Sequence, residues 1–232
     1  MTHPFFRTRE LLSQGLSRSR IAALVSTGQL THVAQGWYCS PLADPVLARA
    51  LALGLRVSCL TGCAHHGLWV PPHRGCHVSV RDGDALPPTT DDWRVHRLSR
   101  AGWHSASPVL DLPTCIGQVL QHHGAEAGLM VVESAVNAGL LPLAEAQSLI
   151  SAAPVHTQRT LQFFDPRAAS GSETRVRLQM QRWRLPVRTQ VQIVGVGRVD
   201  MLVGESWILE TDSRAHHTGE SAYESDRWRD LD

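Results

Sequence analysis

Lysine is missing from this chain. All 22 of its basic residues are arginine. No lysine amine is therefore on hand for catalysis, and every cationic contact falls to a planar guanidinium, the side chain best suited to forked contacts with phosphate. A genome-wide composition bias gives the same result. Net charge is scarce too: 21 acidic residues leave a balance of +1, which excludes a grossly basic nucleic-acid binder, so any DNA contact rests on local arrangement. No run approaches the roughly 18 uninterrupted apolar residues of a membrane span, and the start, with His3, Pro4 and Arg7, has no signal-peptide core. The expectation is a cytoplasmic protein with no membrane partner. Cysteines are few and odd in number, five at positions 39, 59, 63, 76 and 115, which argues for reduced thiols and against a disulfide framework. What is present, 232 residues with 43% hydrophobic content, suffices for one large or two modest domains with proper cores.

The first forty residues read as helix, tight turn, helix and hairpin. Thr8 to Gln14 forms a short helix ended by Gly15. Ser17 caps a second helix that turns Ile21, Leu24 and Val25 inward and stops at Gly28. Leu30 to Ala34, a Gln35-Gly36 bend and Trp37 to Cys39 make a small β-ribbon. The pattern is that of a winged helix-turn-helix over residues 1–44. Arg18, Ser19 and Arg20 lie at the start of the second helix, where such modules face the major groove, and Gln29, His32 and Gln35 lie on the wing. A plain helical hairpin used for protein contacts has the same pattern.

Residues 45–165 read as a mixed α/β middle domain for scaffolding or recognition. Helices are expected at Pro45 to Arg56 and Thr61 to Gly67, strands at Cys76 to Val80 and Trp93 to His96, and three further helices follow. Pro113 opens the first of these, Gly139 closes the second and Pro142 opens the third. Glu126 and Glu133, seven apart, suit solvated helix surface. The stretch Cys59, Cys63, His65, His66, His73, Cys76, His77 holds enough ligand types for a zinc-stabilised module. Its spacing fits no paired template, and small buried thiols are the competing account.

A linker near Phe163 to Ser172 leads into residues 166–232, read as helix (172–184), strands (189–194, 198–203, 206–212) and helix (219–231). If Gly204 to Ser206 form the bend, Val203 pairs with Trp207, Met201 with Leu209 and Asp200 with Glu210, whose side chains then sit roughly 5 Å apart. Val199, Met201, Val203, Trp207 and Leu209 are expected on the buried face. Asp212 shares the face of Glu210 by alternation. Carboxylates that converge beside an apolar hairpin call for a hard divalent cation. Solvated edge charge is the plainer account. Ser170-Gly171-Ser172-Glu173 also fits a capping box, and Asp226 with Arg229 fits a helix-surface ion pair.

Glu173, Asp200 and the Glu210-Thr211-Asp212 strand end are similar to the plan of the PD-(D/E)XK nucleases, with Asp212 where that plan has lysine. The string E-T-D-S-R-A-H-H followed by Y-E-S-D-R-W-R-D resembles the endonuclease-like family DUF 559, related to the very short patch repair endonuclease. L-L-S-Q-G-L-S-R-S-R-I-A-A-L-V-S-T-G-Q-L followed by G-W-Y resembles the winged helix of AbiEi-type antitoxins. The resemblances cover roughly residues 5–40 and 170–232. They imply an α+β or α/β chain whose C-terminal α-β-β-β-α domain cuts DNA with Mg²⁺ or Mn²⁺. Asp200, Glu210, the Thr211 carbonyl and Glu173 would hold metal, and His216, then His217, would be the general base, with Asp212 as orienter. Arg214, Arg227 and Arg229 would hold phosphates. Ser213 stands where the family commonly has glycine. Nucleases of this plan usually continue through a further strand and helix, whereas this sequence stops at Asp232, so the expectation is a sheet short of a strand, its edge exposed or filled by a second copy or another partner. The alternative implied is a DNA-binding regulator or antitoxin, with a toxin partner, whose nuclease-like domain is inert.

Overall fold

The computed structural model describes residues 4–88, 92–100, 103 and 107–211. The fold is mixed α+β, with small three-stranded sheets among its described residues. The chain divides into two compact units, Met1–His65 with Arg74–Cys115, and His66–His73 with Ile116–Asp232. No helix among the described residues is long and apolar enough to cross a membrane.

The first unit begins with β1 (Phe5–Arg7), α1 (Thr8–Ser13), α2 (Arg18–Ser26), β2 (Thr31–Ala34) and β3 (Trp37–Cys39). β3 lies between the other two strands, antiparallel to both, with Phe5 opposite Cys39 and Arg7 opposite Trp37. Buried Leu11, Ile21 and Leu30 join α1, α2 and the hairpin, helped by Phe6, Leu16, Leu24 and Tyr38. β1 has no counterpart in the sequence reading. Three residues are too few for strand alternation to register, and β1 exists through its pairing with β3. The Arg7 guanidinium lies 4.1 Å from the centre of the Trp37 ring, which reinforces that pairing.

The unit continues with α3 (Pro45–Ala52), β4 (Arg56–Val57), α4 (Cys59–His65), β5 (Cys76–Arg81) and β6 (Trp93–Leu98). α3 begins at Pro45, as expected, and Asp44 caps it. The helix stops at Ala52, short of the expected Arg56. Gly54, at φ +73°, turns the chain so that Gly54 N–H donates to Leu51 O and Leu55 N–H to Ala50 O. This paired closure is the Schellman motif, and it releases Arg56 and Val57 into a strand. Gly15, Gly28 and Gly139 close α1, α2 and a later helix in the same way. β5 pairs antiparallel with β4 and parallel with β6, giving the order β4-β5-β6. Trp37, Leu51, Leu55, Val57, Val78 and Val80 belong to one buried cluster beneath these strands.

Ile116 onward, the second unit takes in the later turns of α5 (Leu112–His122), then α6 (Ala125–Asn137), α7 (Leu143–Ser151), α8 (Gln158–Leu161) and α9 (Gly171–Arg182). The antiparallel sheet β7 (Val187–Ile193), β8 (Gly197–Val203) and β9 (Trp207–Leu209) follows in sequence order. α9 starts against Trp69. A Cβ built on Gly171 would fall 2.0 Å from that ring, so only glycine fits there. Glu133 of α6, expected as solvated surface, is 1% exposed. Arg177 of α9, 2% exposed, donates to it at 2.6 Å, and Thr174 Oγ and the Asp165 N–H donate to it as well. The helical spacing that puts Glu133 on one face cannot say that α9 will cover that face. Burial pushes its carboxyl upward, against the pull of Arg177 and the other donors. Glu126 lies nearer the surface and takes Arg175 and Arg182.

Candidate functional site

Side chains able to do chemistry gather at three places in the described residues. The first is the start of α2. Ser17 Oγ accepts the Arg20 N–H at 3.2 Å and lies 2.9 Å from Ser19 Oγ, so the cap fixes the first turn while Arg18, Ser19 and Arg20 stay exposed. Among the described residues neither Arg18 nor Arg20 enters an ion pair. Arg18 borders a shallow cleft whose other side is formed by His32 and Tyr38 of the hairpin. His32 meets the Tyr38 ring edge-on at 5.2 Å. Gln29 and Gln35 are exposed at either end of β2. The structure thus brings Arg18 and His32 to one cleft, with Ser19 and Arg20 on the same helical turn.

The second place is the β8–β9 hairpin. Val203 pairs with Trp207 and Met201 with Leu209, the register expected from the Gly204 bend. Asp200 and Glu210 follow as cross-strand neighbours, and Glu210 Oε2 accepts the Asp200 N–H at 3.4 Å. Asp200 Oδ2 accepts both the Thr211 N–H at 2.9 Å and the Thr211 hydroxyl at 3.1 Å. The carboxylate therefore ties down the strand end. Glu173 is 2% exposed at the start of α9. Its N–H donates to Ser170 Oγ, and its Oε2 accepts from the Ala169 N–H at 3.1 Å and Gln190 Nε2 at 2.8 Å. That is the work of a helix-start device. Among the described residues, Glu173, Asp200 and Glu210 do not gather their oxygens into one ligand group. Asp212, Arg214, His216, His217, Arg227 and Arg229 lie outside the described residues. One expectation for the buried face is corrected. Val199, Met201 and Val203 are buried, but Trp207 is 58% exposed, while Leu202 on the Asp200 face is buried. Trp207 opens β9, a three-residue strand at the edge of the sheet, where one flank of a side chain has no neighbouring strand.

The third place is a group of cysteine and histidine side chains in the first unit that could bind a metal. Cys59 Sγ and ring nitrogens of His77 and His96 lie within 4.8 Å of one another. His77 Nδ1 faces His96 Nε2 at 3.0 Å, the rings 21° from parallel. Cys59 and His77 are buried and His96 is partly so. His77 is held by its backbone: its N–H donates to Thr61 Oγ and its carbonyl accepts the Ser58 N–H. Burial pushes the Cys59 thiol up to about 12, although an N–H bond from Leu60 pulls the other way. Burial likewise raises Cys76 to about 11. Of this group the sequence reading included Cys59 and His77 and missed His96. His96 lies outside the contiguous Cys59–His77 stretch, and the parallel pairing of β5 with β6 brings together histidines 19 apart. A histidine on each of two expected strands was the available signal.

No family model and no curated protein matches the chain. Among solved structures, the RV2827C protein of Mycobacterium tuberculosis is similar over 73% of this chain and 75% of that one, at 16% identity and a TM-score of 0.36. A likeness that slight carries no argument about function.

Proposed function

We propose that this protein binds duplex DNA through the start of α2 and the β2–β3 hairpin. The observation that carries the reading is the strand order β1-β3-β2 around two helices. This is the order in which a winged helix-turn-helix assembles its helices and wing. It accompanies a Ser17-capped second helix whose Arg18 and Arg20 are exposed and, among the described residues, unspent on carboxylates. Recognition helices read the major groove with their N-terminal residues. A guanidinium there forks onto phosphate or onto guanine, each good base contact being worth about 1–3 kcal/mol. Because the chain carries a net charge of only +1, binding depends on these few groups and weakens with salt.

Titration of a labelled duplex, followed by fluorescence anisotropy at several salt concentrations, tests the reading. Replacing both Arg18 and Arg20 with alanine is expected to weaken binding by about tenfold or more and to flatten the salt dependence. Affinity and slope unchanged by the double substitution would overturn the proposal.

A second reading is hydrolysis of the DNA backbone with Mg²⁺ or Mn²⁺ at Asp200 and Glu210. The adjacency of these carboxylates on paired strands favours it. Nicking or cutting of supercoiled plasmid that is abolished by Asp200→Ala supports it. Unchanged plasmid, or cutting that survives the substitution, removes it.

A further inference from the structure

We propose that Cys59, His77 and His96 bind a zinc ion that clamps the β4-β5-β6 sheet. Each ligand comes from a different part of this sheet. Cys59 follows β4 by two residues, His77 is on β5 and His96 is on β6. The sheet has reason to need a clamp: β4 contributes only two residues, and β5 and β6 run parallel. A parallel pair has no tight turn to hold its register and is slightly weaker per residue than an antiparallel one.

The donor set decides the metal. One sulfur and two imidazole nitrogens are the ligands of zinc, whereas magnesium takes a shell of oxygens. The geometry suits the same ion. Two donors on one tetrahedral zinc, at Zn–N and Zn–S distances of about 2.1 and 2.3 Å, stand roughly 3.3–3.6 Å apart. His77 Nδ1 and His96 Nε2 are 3.0 Å apart, and the Cys59 sulfur lies within 4.8 Å of a nitrogen of each ring, so small side-chain rotations bring these three donors onto one ion. Sharing one proton accounts for the close approach of the two rings, but not for a thiol gathered onto the same point.

The backbone at Cys59 is a separate observation. Its φ is +51°, a left-handed conformation that costs a non-glycine residue of order 1 kcal/mol or more and tends to occur where function holds it. The turn takes the chain from β4 into α4 and leaves the Cys59 side chain beside the two histidines. On binding, the thiol gives its proton to solvent and the thiolate and imidazole lone pairs bond to zinc.

Elemental analysis of the purified full-length chain is expected to find close to one zinc per molecule. Cys59→Ser and His96→Ala should each lower that content several-fold, with the exposed His156→Ala as an unaffected control. Cobalt gives a readout that does not depend on equal stability of the variants. The wild-type protein loaded with Co²⁺ should show a thiolate-to-cobalt charge-transfer band in the near ultraviolet, which Cys59→Ser should abolish. Absence of stoichiometric zinc together with failure to take up zinc or cobalt would overturn the proposal. So would uptake that both substitutions leave intact, or a cobalt complex with no thiolate band.

Discussion

The start of α2 and the β8–β9 hairpin are both charged, but the protein uses the two sets of charge differently. At α2 the cap is made by Ser17, and Arg18 and Arg20 are left facing solvent without an ion pair among the described residues. In the second unit Asp200 is engaged by Thr211, and Glu173 by Ala169 and Gln190. Glu133 is enclosed by Arg177, Thr174 and the Asp165 N–H. A charged side chain remains available to a ligand only where the fold leaves its hydrogen-bonding capacity unspent. In the second unit the carboxylates of Glu133, Glu173 and Asp200 hold structure together. In the first, Arg18 and Arg20 are exposed and make no ion pair among the described residues.

This contrast can be broken most sharply at Arg177. Arg177→Ala leaves the Glu133 carboxylate buried beside an empty space, and loss of one partner of a buried pair costs about 3–5 kcal/mol. Urea denaturation should show that loss, with the DNA affinity of the folded protein unchanged. A loss well under 1 kcal/mol would mean the pair is not structural.

A smaller effect is expected at Asp165. Burial raises its pKa, but hydrogen bonds from Arg167 and Thr189 outweigh burial and hold the carboxyl at about 2, below its ordinary 3.8. A depressed pKa contributes stability that is present above the ordinary value and is lost as pH falls toward the folded one. Asp165→Asn should therefore cost on the order of 2 kcal/mol at neutral pH and remove this part of the acid limb between about pH 4 and 2. A wild-type and variant stability difference that does not change with pH over that window would contradict the assignment.

Glu173→Ala is expected to cost about 1–2 kcal/mol through loss of the helix-start contacts and the bond from Gln190. Its effect should appear in the melting temperature. Unchanged stability accompanied by lost plasmid cleavage would reverse the contrast and restore Glu173 to a catalytic role. Asp200→Ala should have the smallest effect, under about 1 kcal/mol, because its bonds to Thr211 are only partly buried.

Local chemistry made much of this legible. Gly15, Gly28 and Gly139 mark three helix ends because only a residue at ease with positive φ closes them in this way. Ser17, Ser170 and the Gly204 bend identify two caps and a hairpin register within a few residues of sequence. The unread features depend on contacts across the fold. Gly54 breaks a helical pattern that Leu51 and Leu55 continue in spacing. β1 exists through β3, Glu133 is buried by α9, and His96 reaches His77 through parallel strand pairing. The Asp200–Glu210 register was readable, but the capture of Asp200 by Thr211 was not, since only the folded strand end shows where that carboxylate turns.

Hydrogen–deuterium exchange of the protein, with and without saturating duplex DNA, locates the surface that DNA covers. Bound DNA is expected to slow exchange in α2 and the β2–β3 hairpin and to leave residues 198–211 unchanged. Protection centred on residues 198–211, with α2 exchanging as it does in free protein, would contradict it.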